Sequence, residues 1–290
     1  MTGKDVFRSI SGHLERVEKE IRIQADLIVE SWRQDGCQGE HLDRAVRHLL
    51  EKPGKMLRPA LVLLSAGMVG RAAVDFDSSL IKLATAVELI HSASLIHDDI
   101  IDDEQLRRGE IALHRLHGNH TAVLVGDVLY AQSFSLITDL RLPQWNRHLA
   151  IYRLFCDTTR NMCLGEIAEQ RVIAGKISLS FPDYLHILKN KTAVLMSACC
   201  ESGAILAGAG EEIAKKLARF GLAFGLAFQL LDDHNDRDAL IQEPVDIVEK
   251  AIEQIVQARS ILDDLGGGVY NRELTLACEI LSRSVRVPGC

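Results

Sequence analysis

Residues 81–104 read IKLATAVELIHSASLIHDDIIDDE. As far as Ile96 the segment is apolar on most faces, which suits a helix enclosed by others better than an amphipathic surface helix. Its end is anionic. Asp98 and Asp102 are four residues apart and share a helix face, with Asp99 and Asp103 forming a second such pair beside them. Like charges at that spacing destabilise a helix by roughly a few tenths of a kcal/mol per pair. Carboxylates that follow a buried apolar run cost more still if unpaired. A hard divalent cation such as Mg²⁺ removes the conflict. Residues 222–238, LAFGLAFQLLDDHNDRD, repeat the arrangement. Phe224, Phe228, Asp232 and Asp236 lie on one i, i+4 stripe, apolar at one end and anionic at the other. Gly221 and Gly225, also four apart, let another helix approach closely. A single acidic doublet on a helix is ordinarily a solvated face, and Asp263–Asp264 is read so. Two doublets, each ending a strongly apolar helix, read as two walls of one site where metal ions bridge a polyanion.

The rest of the chain carries the same helical pattern. Apolar-periodic runs rich in Ala, Leu, Ile, Glu and Lys predict helices over about 4–34, 40–51, 57–70, 77–104, 120–139, 145–174, 182–209, 211–236, 244–265 and 271–285. Few stretches alternate with period two, and aromatics are only 5%. The expectation is an all-α protein, with residues 1–290 forming one large helical domain. Hydrophobic residues make up 47% of the 290 and charged residues 25%, a globular balance. A net charge of −7 argues against a nucleic-acid partner, whose footprint would be basic. Seven scattered cysteines without a C-x-x-C pair form neither a disulfide framework nor a zinc spacing. The N-terminus turns charged before an apolar run develops, and the long apolar stretches are interrupted by Glu88, His91 and Glu201. The expected setting is cytoplasmic and reducing, without stable membrane insertion.

Two basic stretches suit an anionic small molecule. Pro53-Gly54-Lys55-Met56-Leu57-Arg58-Pro59 places two cations in a turn that opens a helix, and Arg107-Arg108-Gly109 follows the first carboxylate cluster. Each alone is ordinary surface charge. Beside the carboxylate clusters they favour a diphosphate pocket.

Together the stretches GKMLRP (54–59), ELIHSASLIHDDIID (88–102), RRG (107–109), GDVLYAQSF (126–134), KT (191–192) and FQLLDD (228–233) resemble the trans-type (E-type) isoprenyl diphosphate synthases, or polyprenyl synthetases. They occur in the family's order over roughly residues 50–236. The resemblance implies a bundle of long antiparallel helices, usually a homodimer, and a head-to-tail 1′-4 condensation. It implies that Asp98 and Asp102 bind Mg²⁺ on the allylic diphosphate, with Asp232, Asp233 and Asp236 binding it from the opposite helix. It places Lys55, Arg58, His91 and Arg108 on isopentenyl diphosphate, and Arg107, Lys191, Thr192 and Gln229 around the allylic diphosphate. Of these, Asp98, Asp102, Arg107, Lys191 and Asp232 are the residues expected to act in catalysis. No nucleophilic Ser or Cys is needed. Cys199-Cys200 reads as small core residues, and His97 as a hydrogen-bonded core residue.

One departure stands out. In the family the second aspartate motif is followed by a lysine-containing loop that helps close the site. Here the first lysine after Asp236 is Lys250, in what reads as the next helix. The expected activity is therefore a medium- to long-chain polyprenyl diphosphate synthase. The alternative is a weakly active or non-catalytic subunit that binds prenyl diphosphates and supports a partner chain. A terpene cyclase on the same fold has no use for the GKMLRP and RRG stretches. A missing cover comes either from a partner or from the tail after Gly266-Gly267-Gly268, which the glycines would make mobile. Ala93 and Ser94, both small, lie one turn before Asp98; the resemblance implies that a bulky aromatic at the Ala93 position stops growth early, so products past the farnesyl stage are expected, with Leu89, Ile90 and Tyr130 as candidate stops.

Overall fold

The structure, a computed structural model, describes residues 6–34, 43, 45–47, 50, 54–69, 78–142, 144–175, 179–236, 239–241 and 244–284. After a 3₁₀ turn at Arg8–Ile10, the helices are α1 (Ser11–Gln34), α2 (Leu57–Met68), α3 (Ser78–Ile101), α4 (Leu113–His117), α5 (Asn119–Thr138), α6 (Trp145–Ile173), α7 (Phe181–Leu188), α8 (Val194–Leu206), α9 (Glu211–Asp236), α10 (Ile247–Asp264) and α11 (Val269–Arg283). Two two-residue strands, β1 (Leu106–Arg107) and β2 (Glu110–Ile111), pair antiparallel. The all-α expectation holds. The expected helix over 40–51 and the segment after Asp236 fall partly outside the described residues, as do the last six residues.

The described residues group into two compact units. The first draws on 10–60 and 75–143, and the second on 6–9, 61–74 and 144–290. In the first, α3 packs against α1 and α5. All of α3 from Ser79 to Ile90 is buried except Lys82, as its uniformly apolar sequence requires. By length and composition α3 and α5 could each cross a membrane, but 78% of the qualifying window of α3 is buried inside the protein, as in a core helix.

In the second unit α9 is central, packed against α8 and α10. Its glycines act as the sequence suggests. A Cβ on Gly221 would lie 2.5 Å from the Met196 carbonyl oxygen, and one on Gly225 2.7 Å from Ala193 Cα. Caps set several boundaries. The Ser180 hydroxyl accepts from the Asp183 N–H at the start of α7, and the Asp246 carboxylate accepts from the Glu249 N–H at 3.0 Å to open α10.

The tail differs from the expectation of a mobile cover. Residues 269–283 form α11, whose Leu274 and Cys278 are fully buried. The Asn271 amide donates to the carbonyls of Leu262 and Gly266, both at 2.7 Å, and the Glu273 carboxylate accepts from the Ser9 N–H at 2.8 Å and the Ser9 hydroxyl at 2.7 Å. Gly266 and Gly268, at φ 84° and 146°, form a turn that brings this helix back onto α10.

Gly221→Ala and Gly225→Ala are expected to lower unfolding stability by about 1–3 kcal/mol each, because the clash is with backbone. Gly12→Ala, where an added Cβ meets nothing within 4 Å, should cost nothing. Urea midpoints of the three variants check this.

Candidate active site

Along α3 burial is interrupted by a stripe. His91, Ser94, Leu95 and Asp98 are half-buried and Asp102 is exposed, on a helix whose earlier turns are closed. The spacings i, i+3, i+4, i+7 and i+11 put these residues on one face. Two helical turns, about 10 Å, separate His91 from Asp98.

Around the His91 end the structure gathers the cations of two separate sequence stretches. Arg58 Nη1 lies 2.9 Å from His91 Nε2. The Arg108 guanidinium lies against Gly54, where a Cβ would meet its Nη2 at 2.5 Å. Lys55 is exposed beside it. Beneath them is a group the sequence reading missed. Glu88 is 5% exposed, and burial raises its pKa against the opposing pull of Arg58 and Arg108. Burial also drives His91 well below the usual imidazole range, with Arg58, Arg108 and Arg107 adding to the effect. His91 is therefore neutral near pH 7 and accepts the Arg58 N–H through Nε2, which places its own proton on Nδ1.

At the other end of the stripe the four aspartates divide by role. Asp99 is 4% exposed and accepts from Arg107 Nε at 2.7 Å, with a second contact from Nη2. Arg107, assigned by resemblance to the allylic diphosphate, thus already holds an internal partner. Asp103 adopts φ 56°, and the Glu104 N–H bonds back to the Asp99 carbonyl at 3.0 Å, a glycine-type helix end that stops α3 three residues before the predicted boundary. Arg115 donates to the Asp103 carbonyl at 3.0 Å and pairs with its carboxylate at 2.5 Å. Arg108 (φ 52°) and Gly109 (φ 79°) form the two-residue turn between β1 and β2, a type I′ geometry that demands positive φ at both positions. Arg107 and Arg108 hence leave the turn toward different partners. Asp98 and Asp102 remain on the open stripe.

In the second unit Lys191 and Thr192 occupy a π turn, Lys189–Ala193, between α7 and α8. Such turns break the hydrogen-bond ladder and often occur at functional sites. Gly165 on α6 makes room for it, since a Cβ there would sit 2.7 Å from the Lys191 nitrogen. Lys191 Nζ pairs with Glu166 at 3.0 Å and with Glu169. Burial opposes its charge, but the two glutamates outweigh that and hold its pKa above the ordinary lysine value. Thr192 Oγ1 donates to Gln229 Oε1 at 2.8 Å, and Gln229 Nε2 donates to Asp233 Oδ1 at 2.6 Å. The fully buried Tyr184 donates its hydroxyl to Asp233 Oδ2. Asp232 and Asp236 are exposed on α9. Glu166, Glu169 and Tyr184 were not singled out in the sequence. The signal available was the i, i+3 spacing of two glutamates directly after Gly165.

The donors suit a hard cation in kind. Asp98, Asp102, Asp232 and Asp236 offer carboxylate oxygens on half-buried or exposed surface. Among the described residues no group of three or more His, Cys, Asp or Glu is gathered into a protein-only metal cage.

Elsewhere, Ala93 is fully buried under the stripe, as are Leu89 and Ile90. Tyr130 sits higher, its ring 5.8 Å from that of His97. His97 itself is half-buried, not core. It bonds to the Val123 carbonyl at 3.2 Å in space left by Gly126. Cys199 and Cys200 are fully buried, and burial pushes the Cys200 thiol up to about 12, which excludes it as a nucleophile at neutral pH.

The chain is an all-α protein with aspartate pairs toward the ends of α3 and α9 and an arginine–histidine contact beside α3. The family profile described as "Polyprenyl synthetase" matches residues 39–244, and the chain belongs to that family. Heptaprenyl diphosphate synthase component 2 of Bacillus subtilis (strain 168) is 40% identical over 193 residues, covering 66% of this chain and 52% of the relative. The chain thus spans about half the length of that curated relative. Among solved structures, the geranylgeranyl pyrophosphate synthetase of the archaeon Geoglobus acetivorans superimposes with a TM-score of 0.76 at 26% identity, covering 90% of this chain and 99% of that one. The polyprenyl synthase of Caulobacter crescentus CB15, solved with calcium and isoprenyl diphosphate, gives 0.81 at 24% identity over 97% of this chain and 98% of its own, which establishes the shared fold.

The lowered His91 pKa sets a pH dependence. The unfolded imidazole protonates near its usual pKa of about 6.5 while the folded one stays neutral. Protons then favour the unfolded chain, so this contribution to stability is present above that pH and is lost as pH falls toward the folded pKa. Denaturant midpoints of wild type and His91→Gln, measured from about pH 8 to about pH 5, should diverge on the alkaline side and converge on the acid side.

Proposed function

We propose that this chain is a Mg²⁺-dependent prenyltransferase, extending an allylic prenyl diphosphate with isopentenyl diphosphate to a medium- to long-chain all-trans polyprenyl diphosphate. The observation that carries the reading is the α3 stripe, where a preassembled anion cradle and a carboxylate pair share one helix face two turns apart.

Residues 1–290 are read as one functional domain. Lys55, Arg58, His91 and Arg108 hold isopentenyl diphosphate. Because His91 is neutral, it orients Arg58 without adding charge. Asp98 and Asp102 on α3 are candidate metal ligands, as are Asp232 and Asp236 on α9. Mg²⁺ supplies charge neutralisation of the allylic diphosphate as it becomes a leaving group. In the reaction the allylic C1–O bond breaks and its electron pair leaves with the diphosphate. The double bond of isopentenyl diphosphate then forms the new C–C bond, and a proton from the resulting cation passes to diphosphate. Arg107, fixed by Asp99, and Lys191, fixed by Glu166 and Glu169, are held in place before any substrate arrives, which lowers the reorganisation needed as charge develops.

The second reading, a weakly active subunit supporting a partner chain, has its own support. Lys191 is largely neutralised by two carboxylates. Lys250 lies within α10 and bonds to Glu253 at 2.7 Å, so it does not stand in for the family's loop lysine. Homodimerisation or a partner chain would also cover apolar side chains on α5, where Val123 and Leu124 are 41% and 63% exposed. A cytoplasmic location fits this reading.

Purified protein with Mg²⁺, labelled isopentenyl diphosphate and farnesyl diphosphate, with products resolved by length, separates the two. The first reading expects products beyond the farnesyl stage. No condensation, with diphosphate binding intact, selects the second. Asp98→Ala should reduce turnover about 100-fold or more, in line with loss of a charge-stabilising contact, with circular dichroism unchanged.

Ala93→Tyr places a ring under the carboxylates and should shorten the product distribution on the same chromatogram. An unchanged distribution would remove Ala93 from the path of the growing chain.

A further inference from the structure

The adjacent aspartates on α9 do not share an environment. Asp232 is exposed at the surface of the helix, whereas Asp233, about 100° around it, is half-buried and has both oxygens engaged. The chemistry of the partners fixes the direction of every bond. An ionised carboxylate only accepts, so the Gln229 NH₂ must face Asp233 and its carbonyl must face Thr192. The Thr192 hydroxyl must then donate. The result is a directed relay, Thr192 to Gln229 to Asp233, closed by Tyr184 from the opposite side. Tyr184 is 0% exposed. A buried phenol needs an acceptor, and turning Asp233 outward to a metal ion would take its acceptor away.

The relay ends at the π turn. Thr192 is 8% exposed and directly follows Lys191, whose amine is held on the other side by Glu166 and Glu169. A π turn lacks the regular i→i−4 ladder, so side-chain ties must supply part of what holds it.

We propose that Asp233 is a positioning residue and not a metal ligand. With Tyr184 it locks Gln229 and Thr192, and so fixes the turn that presents Lys191, while metal binding on α9 falls to Asp232 and Asp236. This divides a motif that the resemblance treats as one ligand set, and it rests on the functional reading above.

The test uses the full chain with four variants, Tyr184→Phe, Asp233→Asn, their double, and Asp232→Asn. Amide hydrogen exchange over residues 189–193 is measured without metal, and inorganic diphosphate binding is titrated calorimetrically across a Mg²⁺ series. Tyr184→Phe and Asp233→Asn should each speed exchange at the π turn and weaken diphosphate binding by about tenfold at saturating Mg²⁺, the size usual for loss of a supporting hydrogen bond. The Mg²⁺ midpoint should stay at the wild-type value, and the double variant should be no worse than either single. Asp232→Asn should leave exchange unchanged and move the Mg²⁺ midpoint. The proposal is overturned if Asp233→Asn moves that midpoint as far as Asp232→Asn does, or if Tyr184→Phe matches wild type in both readouts. Should Tyr184→Phe fail to fold, the two asparagine variants decide by themselves. A wild-type chain that binds no diphosphate with Mg²⁺ removes the functional reading and this proposal together. Binding in the wild type with the wrong pattern in the variants removes only the proposal.

Discussion

The buried pairing of Asp99 with Arg107 is the interaction on which the first half of the site depends. A carboxylate that is 4% exposed at the end of an apolar helix needs a cation, and the chain supplies one by folding back through a two-stranded turn. That fold-back fixes where α3 stops, with Asp98 half-buried and Asp102 exposed at its end. It also sets Arg108 at a turn tip, from which its guanidinium reaches Gly54. Removing either partner leaves an uncompensated charge in a closed environment. Cradle, carboxylate pair and hairpin therefore form one mechanical unit.

The two halves solve opposite electrostatic problems. The first holds Arg58 and Arg108 close to His91 and Glu88. It does so by keeping His91 neutral and by placing Glu88 among the arginines. The second must hold one lysine among many acids. Glu166 and Glu169 fix the position of Lys191 and offset much of its charge.

Much of this was legible in the sequence, for identifiable reasons. Helical periodicity and the scarcity of prolines placed α2, α3, α5, α6, α9, α10 and α11 within a few residues, but missed the short α4 and ran α7 and α8 together as one helix. The aspartate spacing of four marked the open ends of α3 and α9, and Gly221 and Gly225 announced a close helix contact. What was not legible depended on long-range partners. Nothing local to Arg107 says that it turns back to Asp99, while Arg108 turns away. Tyr184 and Asp233 are 49 residues apart, and Lys191 and Glu169 are 22 apart. The tail was misread because three glycines suggest freedom, whereas Asn271 and Glu273 supply the bonds that hold α11 down. The π turn has no composition signature at all.

That turn has a consequence for chain length. A π turn is what an α-helix looks like with one surplus residue lodged in it. Removing one residue anywhere in Lys189–Ala193 would restore continuous α-helix from α7 into α8 and rotate everything beyond by about 100°. Lys191 would then leave the glutamates, and the α8 face that meets Gly221 and Gly225 would turn away from α9. Substitutions here change one contact, whereas a single-residue deletion changes the phase of the whole helix.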